Sequence, residues 1–209
     1  DPSFIYLSEK HREALAHLMY GLESDGGFVL VTGEVGTGKT TLLRNLIAQV
    51  PDNQDVAFIL NPRLTVRELL ESLCDELSID YPTESPLSIK QYIDRLNRHL
   101  LHVHSRNRST VMIIDEAQNL SPAVLEQIRL LTNLETNERK LLRIILIGQP
   151  ELGETLDRHE LRQLAQRITA RYHLEALDSD DIHAYISHRM RISGTSAEVF
   201  THSARRLIF

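Results

Sequence analysis

Residues 33–40 read Gly-Glu-Val-Gly-Thr-Gly-Lys-Thr, directly after the apolar run Phe28-Val29-Leu30-Val31 and directly before Leu42, Leu43, Leu46 and Ile47 at helical spacing. A short apolar run, a glycine loop and a helix read as strand, loop, helix. A second short apolar run, Val111-Met112-Ile113-Ile114, ends in Asp115-Glu116. Continuous apolar strands with helices between them predict a parallel sheet covered on both faces, in which ligands sit at the carboxyl ends of the strands.

The rest of the chain follows the same alternation. Ser8 is positioned to cap a helix carrying Leu15, Leu18, Met19 and Leu22, which ends near Gly26-Gly27. Residues 56–60 read as a second buried strand, and Thr65 with Glu68 forms a capping-box pattern before Leu69, Leu70, Leu73 and Leu77. Residues 81–86 carry two prolines and read as a loop. A long amphipathic helix then places Ile89, Ile93, Leu96, Leu100 and Val103 on one face. Ser121-Pro122 opens a helix through Leu125, Ile128 and Leu131; 144–147 is a fourth strand ending in Gly148-Gln149-Pro150, and 171–174 a fifth. Beyond it the pattern changes. Asp178 and Asp181 start a helix with Ile182, Tyr185, Ile186 and Met190, Gly194 breaks it, and a last helical stretch runs to the end.

At 209 residues, 42% apolar and 25% charged, the chain has the makeup of one globular domain, or one with a small appendage. A net charge of -6 argues against a surface built throughout to hold nucleic acid. Cys74 is the single cysteine, so no intrachain disulfide forms and a reducing cytoplasm is the natural compartment. It shares the apolar register of Leu70, Leu73 and Leu77, which makes it a core residue. No apolar run approaches the ~18 to 20 residues that span a bilayer. The first residues, Asp1-Pro2-Ser3-Phe4, lack the basic-then-apolar order of a leader, and the apolar pattern at Ile208-Phe209 has no helix stop, as expected of a piece of a longer protein.

The chemistry gathers at the predicted strand ends. In a loop made of Gly33, Glu34, Val35, Gly36, Thr37, Gly38, Lys39, Thr40 and Thr41, successive backbone N–H groups turn onto phosphate oxygens, and the helix that follows adds its positive end. Lys39 would reach the β and γ phosphates, and Thr40 would offer its hydroxyl to Mg2+. Asp115 closes a strand too apolar to hold a charge without a partner, which suits a carboxylate that holds the metal through its water shell. Glu116 beside it is the candidate base for water, and Gln149 at the end of the fourth strand is a candidate sensor of the γ phosphate. Arg162, Arg167 and Arg171 are candidates for an arginine finger reaching a neighbouring subunit's nucleotide, with Arg167 favoured; Arg162 and Arg167, five apart, do not share one helix face closely. His99, His102 and His104 have no cysteine or acidic partner at metal-ligand spacing. With Arg95, Arg98, Arg106 and Arg108 they form a basic stretch that reads first as a solvated helix face.

These segments resemble the AAA+ ATPases and, more closely, the ATPase domains of the general secretion pathway protein A family (ExeA/GspA). The resemblance runs from Tyr6-Leu7-Ser8-Glu9-Lys10-His11 through the glycine loop, Leu60-Asn61-Pro62-Arg63, Asp115-Glu116-Ala117-Gln118-Asn119-Leu120 and Gly148-Gln149-Pro150-Glu151-Leu152 to 166–172. It implies a P-loop NTPase three-layer sandwich with a parallel five-stranded sheet, an AAA+ core over 1–176 and a partial helical lid over 177–209. It also implies ATP and Mg2+ as ligands, hydrolysis to ADP and phosphate, and a homo-oligomer completed by an arginine in trans. Further implications are a membrane partner of the ExeB/GspB kind, secretin placement in type II secretion, and a cytoplasmic domain of an inner-membrane-anchored protein whose peptidoglycan-binding region lies outside this chain. Two rival expectations stand beside it. One is a DNA-directed regulator like transposition target selectors or origin-recognition ATPases, which the acidic balance disfavours; the other is a nucleotide-gated scaffold with little turnover. Adenine packing by Tyr6, Leu7 or His11 rests on their position alone, and no second sensor arginine stands out before the chain ends.

Overall fold

The computed structural model describes residues 6–23, 27–60, 62–82, 87–136, 139–195 and 200. Five parallel strands form one sheet in the order β2-β3-β4-β1-β5, with β1 Phe28–Thr32, β2 Gln54–Ile59, β3 Ser109–Ile114, β4 Leu142–Gly148 and β5 Ile168–His173. From β1 the chain crosses through α2 (Lys39–Gln49) to β2 on one side. From β4 it crosses through α6 (Pro150–Leu156) and the short α7 (Arg162–Ala165) to β5 on the other. Because β1 and β4 are neighbours whose connections leave in opposite directions, a crevice opens at their carboxyl ends.

Strand residues alternate between two cores, which explains why the runs are apolar without interruption. Phe28, Leu30, Met112, Ile114, Ile144 and Leu146 face α3 (Val66–Glu76), α4 (Ile89–Ser105), α5 (Pro122–Leu131) and α6. Val29, Val31, Val111, Ile113, Ile145 and Ile147 face α1 (Glu9–Glu23) and α2, where Leu18, Leu42 and Leu46 are fully buried. The result is the expected three-layer sandwich. The edge strand β5 alternates half-buried and exposed residues, and it begins three residues before the predicted 171–174. Its polar alternation, Thr169, Arg171 and His173 outward, hid its start from a search for apolar runs.

The helix ends follow local chemistry. Thr65 and Ser88 each make a complete capping box, with Glu68 and Gln91 respectively, and the Ser121 and Asp178 side chains accept from the third residue of their helices. The stripe on α4 differs from the predicted one: Ile89 is exposed, and Tyr92 is buried in line with Leu96, Leu100 and Val103. Tyr92 takes the inward position because its hydroxyl donates to Glu71 at 2.7 Å, so the ring is buried with its polar tip satisfied. Cys74 is buried, and burial pushes its thiol up to about 11, which leaves it a core residue with little thiolate.

After β5, α8 (Ser179–Ile192) leaves the sandwich, contributes no fully buried residue, and ends at Gly194 with φ 77°. The predicted last helical stretch, Asn61, and residues 83–86 of the proline loop lie outside the described residues.

Candidate functional site

The glycine loop is built on the carboxyl end of β1. Its first amide, Gly33 N–H, donates to the Gly148 carbonyl at 3.1 Å, which fastens the loop to the end of β4. Gly36 and Gly38 have φ of 86° and 96°, a left-handed conformation that side chains disfavour. Gly38 is constrained twice, since a Cβ there would lie 2.4 Å from His11 Nε2. Thr37 closes the turn, its hydroxyl donating to the Glu34 carbonyl at 2.9 Å. Lys39 is only 7% exposed, and its ammonium donates to the carbonyls of Gly33 at 2.8 Å and Glu34 at 2.9 Å. Two of its three protons are thus used within the loop, leaving one donor. Thr40 is exposed and Thr41 half-buried in the first turn of α2, whose N-terminal amides have no partner within the helix.

His11 is a residue whose contact the sequence did not reveal. Its Nε2 lies 3.0 Å from the Thr37 carbonyl, and its Nδ1 lies 2.8 Å from the Ser8 hydroxyl. A carbonyl only accepts, so Nε2 carries the proton and the neutral ring accepts from Ser8 at Nδ1. Burial favours this neutral form by pushing the imidazole pKa down. The first turn of α1 thereby grips the glycine loop.

Across the crevice, β3 delivers Asp115 and Glu116. Asp115 is buried, its N–H donates to Ile59 O at 3.0 Å, and its Oδ1 accepts from Glu116 N–H at 2.9 Å. Burial raises its pKa, while the Glu116 amide and the Lys39 charge oppose the rise. A buried carboxylate near enough to feel the Lys39 charge, with the Thr40 hydroxyl on the next residue of α2, is a chemically fitting pair of ligands for a divalent cation. A raised carboxyl pKa means that the native state binds its proton more tightly than the unfolded chain does. Stability from this group is therefore greatest at low pH and falls as pH rises from the unfolded value through the folded one. Asp115→Asn is expected to raise the melting temperature of the nucleotide-free protein near neutral pH. Scanning calorimetry checks the sign.

Glu116 adopts the left-handed conformation (φ 53°, ψ 37°), uncommon for a residue with a side chain, and a 3-10 turn over Ala117–Asn119 follows it. Its Oε2 accepts from Gln118 Nε2 at 2.6 Å and from Gln149 Nε2 at 3.5 Å. The structure thus brings Glu116 and Gln149 together and adds Gln118, whose Oε1 accepts from Gln149 N–H at 3.1 Å. Gln118 stood in a distinctive motif, but its bond to a residue 31 positions on is visible only in three dimensions.

The three arginines separate. Arg167 is held in cis: its Nη1 lies 3.2 Å from Arg129 O, 2.6 Å from Thr132 Oγ1 and 2.8 Å from Asn133 Oδ1, at the carboxyl end of α5. A cation there complements the helix dipole. Arg171 pairs with Asp157 at 3.6 Å on the surface, and Arg162 is exposed at the start of α7. His99, His102 and His104 lie on α4, which leads into the amino end of β3, the end opposite Asp115.

Beside the loop, a cavity of about 710 Å³ is lined by Tyr6, His11, Gly38, Thr41, Tyr185 and Arg189, among others. Tyr6 meets Tyr185 edge to face at 6.0 Å and His188 at 5.7 Å, so the segment before α1 packs against α8. Lys10 pairs with Glu175 at 3.0 Å, bridging α1 to the link between β5 and α8.

A glycine loop after β1, an Asp-Glu pair after β3 and a polar residue after β4, all on a β2-β3-β4-β1-β5 parallel sheet, define a P-loop nucleotide-binding domain of the AAA+ class. The AAA domain family model matches residues 22–156, and the chain belongs to that family. It is 52% identical over 204 residues to general secretion pathway protein A of Aeromonas hydrophila, a match covering 98% of this chain and 37% of that protein. The chain therefore spans little more than a third of the curated relative's length. Among solved structures it is similar to Cdc6p of Pyrobaculum aerophilum, with a TM-score of 0.71, 19% identity, and coverage of 91% of this chain and 53% of that one. It is also similar to the ORC2 protein of Aeropyrum pernix in ADPNP-ADP complexes, with a TM-score of 0.64, 17% identity, and coverage of 91% and 55%. At such identities the likeness is one of fold. No helix among the described residues is long and apolar enough to cross a membrane.

Proposed function

We propose that this chain is a Mg2+-dependent ATP hydrolase domain whose site is finished by a neighbouring copy. The observation that carries the reading is the meeting of Glu116 and Gln149 side chains at the strand ends beside the Lys39 loop. In this reading the triphosphate lies along Gly33, Glu34, Val35, Gly36, Thr37, Gly38, Lys39, Thr40 and Thr41. The base occupies the cavity between Tyr6 and Tyr185. Thr40 and Asp115 hold Mg2+, which supplies charge neutralisation at the phosphate oxygens. Glu116 takes a proton from water as the water oxygen bonds to the γ phosphorus. The bond from that phosphorus to the β-γ bridging oxygen breaks, and ADP leaves with its electron pair. Gln149 reports the γ phosphate.

An arginine of the adjoining subunit, Arg167, Arg162 or Arg171, stabilises the charge that develops. The first two are separable. Arg167→Ala should lower the melting temperature as well as turnover, because it strips the carboxyl end of α5 of its three hydrogen bonds. Arg162→Ala should leave melting unchanged and, if this residue is the finger, lower turnover by about 10³-fold. Wild-type turnover in Arg162→Ala leaves Arg167 and Arg171 as the candidates.

Phosphate release measured against protein concentration tests the whole reading. Specific activity should climb steeply as subunits associate; a flat line near zero at all concentrations overturns it in favour of a nucleotide-gated scaffold. The 52% identity to general secretion pathway protein A supports a place in type II secretion. There the domain would work in the cytoplasm, attached through regions outside this chain to an inner-membrane anchor and a peptidoglycan-binding region. With a membrane partner of the ExeB/GspB kind it would help place the secretin.

A further inference from the structure

We propose that Gln118 is the positioning residue that sets the Glu116 carboxylate and couples it to Gln149, an inference that rests on Glu116 acting as the base. The geometry asks two opposite things of one side chain. Its Nε2 donates to Glu116 Oε2 at 2.6 Å, and its Oε1 accepts from the Gln149 N–H at 3.1 Å. A carboxamide does both, whereas a carboxylate lacks the donor and an ammonium lacks the acceptor. The second bond pins the amide to the start of α6, so the first holds Glu116 at a defined distance from the end of β4.

The surroundings are shaped to this side chain. A Cβ on Gly148 would lie 2.8 Å from Gln118 Oε1 and 3.3 Å from its backbone nitrogen, so Gly148 leaves the room that the amide occupies. Gly148 has an ordinary φ, which leaves close approach, and not backbone conformation, as the reason for glycine. The left-handed turn at Glu116 and the 3-10 turn after it bring residue 118 back over the carboxylate. Gln149 Nε2 stands 3.5 Å from the same Oε2. A γ phosphate that draws the Gln149 amide away leaves Gln118 as the donor on that oxygen. Glu116 then keeps its orientation through Gln118, which the Gln149 backbone amide continues to hold.

The test compares Gln118→Leu, Gln118→Glu and Glu116→Gln in the full chain, under conditions of subunit association, by steady-state hydrolysis and fluorescent-nucleotide titration. Gln118→Leu should lower kcat by about 10- to 100-fold, the usual cost of losing a group that orients a functional one, with nucleotide Kd within about twofold of wild type. Gln118→Glu places a second carboxylate against Glu116. It keeps the length and the acceptor but loses the donor, so kcat should fall at least as far as in Gln118→Leu while nucleotide Kd stays within about twofold of wild type, a split between chemistry and binding that lost packing alone would not cause. In a Gln149→Ala background the Gln118→Leu loss should shrink, since coupled residues are not additive. If Gln118→Leu and Gln118→Glu both turn over at the wild-type rate while Glu116→Gln is inactive, the Gln118 assignment is wrong and the base assignment survives. Wild-type turnover by Glu116→Gln removes both. Should Gln118→Leu not fold, the kcat and nucleotide Kd of Gln118→Glu decide in the same way.

Discussion

Glu116→Gln is expected to bind ATP with an affinity within about twofold of wild type and to lose turnover by about 10² to 10⁴, the range associated with a positioned general base. The substitution keeps the shape of the side chain and can still hydrogen-bond at the positions now held by the Gln118 and Gln149 amides. It removes only the ability to accept a proton from water. Asp115, the first residue after β3, keeps its own bond from the residue-116 amide, so the candidate metal ligand is left in place. Parallel titrations with a fluorescent nucleotide and a phosphate-release assay separate binding from chemistry. A variant that still hydrolyses at the wild-type rate would show that Glu116 is a structural member of the Gln118–Gln149 network and that the base lies elsewhere.

Lys39→Ala should act one step earlier, at binding. The residue is buried and its ammonium holds the Gly33 and Glu34 carbonyls at 2.8 and 2.9 Å. A phosphate oxygen can take its remaining proton or displace one of these carbonyls. Loss of one charge-assisted hydrogen bond costs about 1.5 to 3 kcal/mol, so Mg-ATP affinity should fall roughly 10- to 100-fold. Arginine should not restore it, because a planar guanidinium cannot occupy a pocket that two carbonyls close around a compact ammonium. Equilibrium titration of both variants checks this, and undiminished affinity in Lys39→Ala would mean that the loop amides hold the phosphates unaided.

The strands show why some elements were plain in the sequence. β1, β3 and β4 are buried on both faces, so each is a continuous apolar run and was legible with near-correct bounds. β5 has one half-buried face and polar residues on the other, and its first three residues carried no such mark. On α4, helical periodicity alone could not distinguish Ile89 from Tyr92 as the inward residue. The choice depended on Glu71, which lies on another helix and receives the tyrosine hydroxyl.

At the site, the residue types announced their chemistry in order along the chain: glycines that free a loop to turn its amides inward, Lys39 and Thr40 behind them, and Asp115-Glu116 after an apolar strand. Those are local properties of backbone freedom and charge, so the sequence by itself determined the P-loop, the parallel sheet and the acidic end of β3. The tertiary structure decided the rest. It brought His11 of α1 against Thr37, used Gln118 to join Glu116 to Gln149, and turned Arg167 onto the end of α5. Each of those contacts joins residues that sequence distance separates or local pattern leaves unmarked, and a hydrogen bond depends on where donor and acceptor meet after the sheet order has been set.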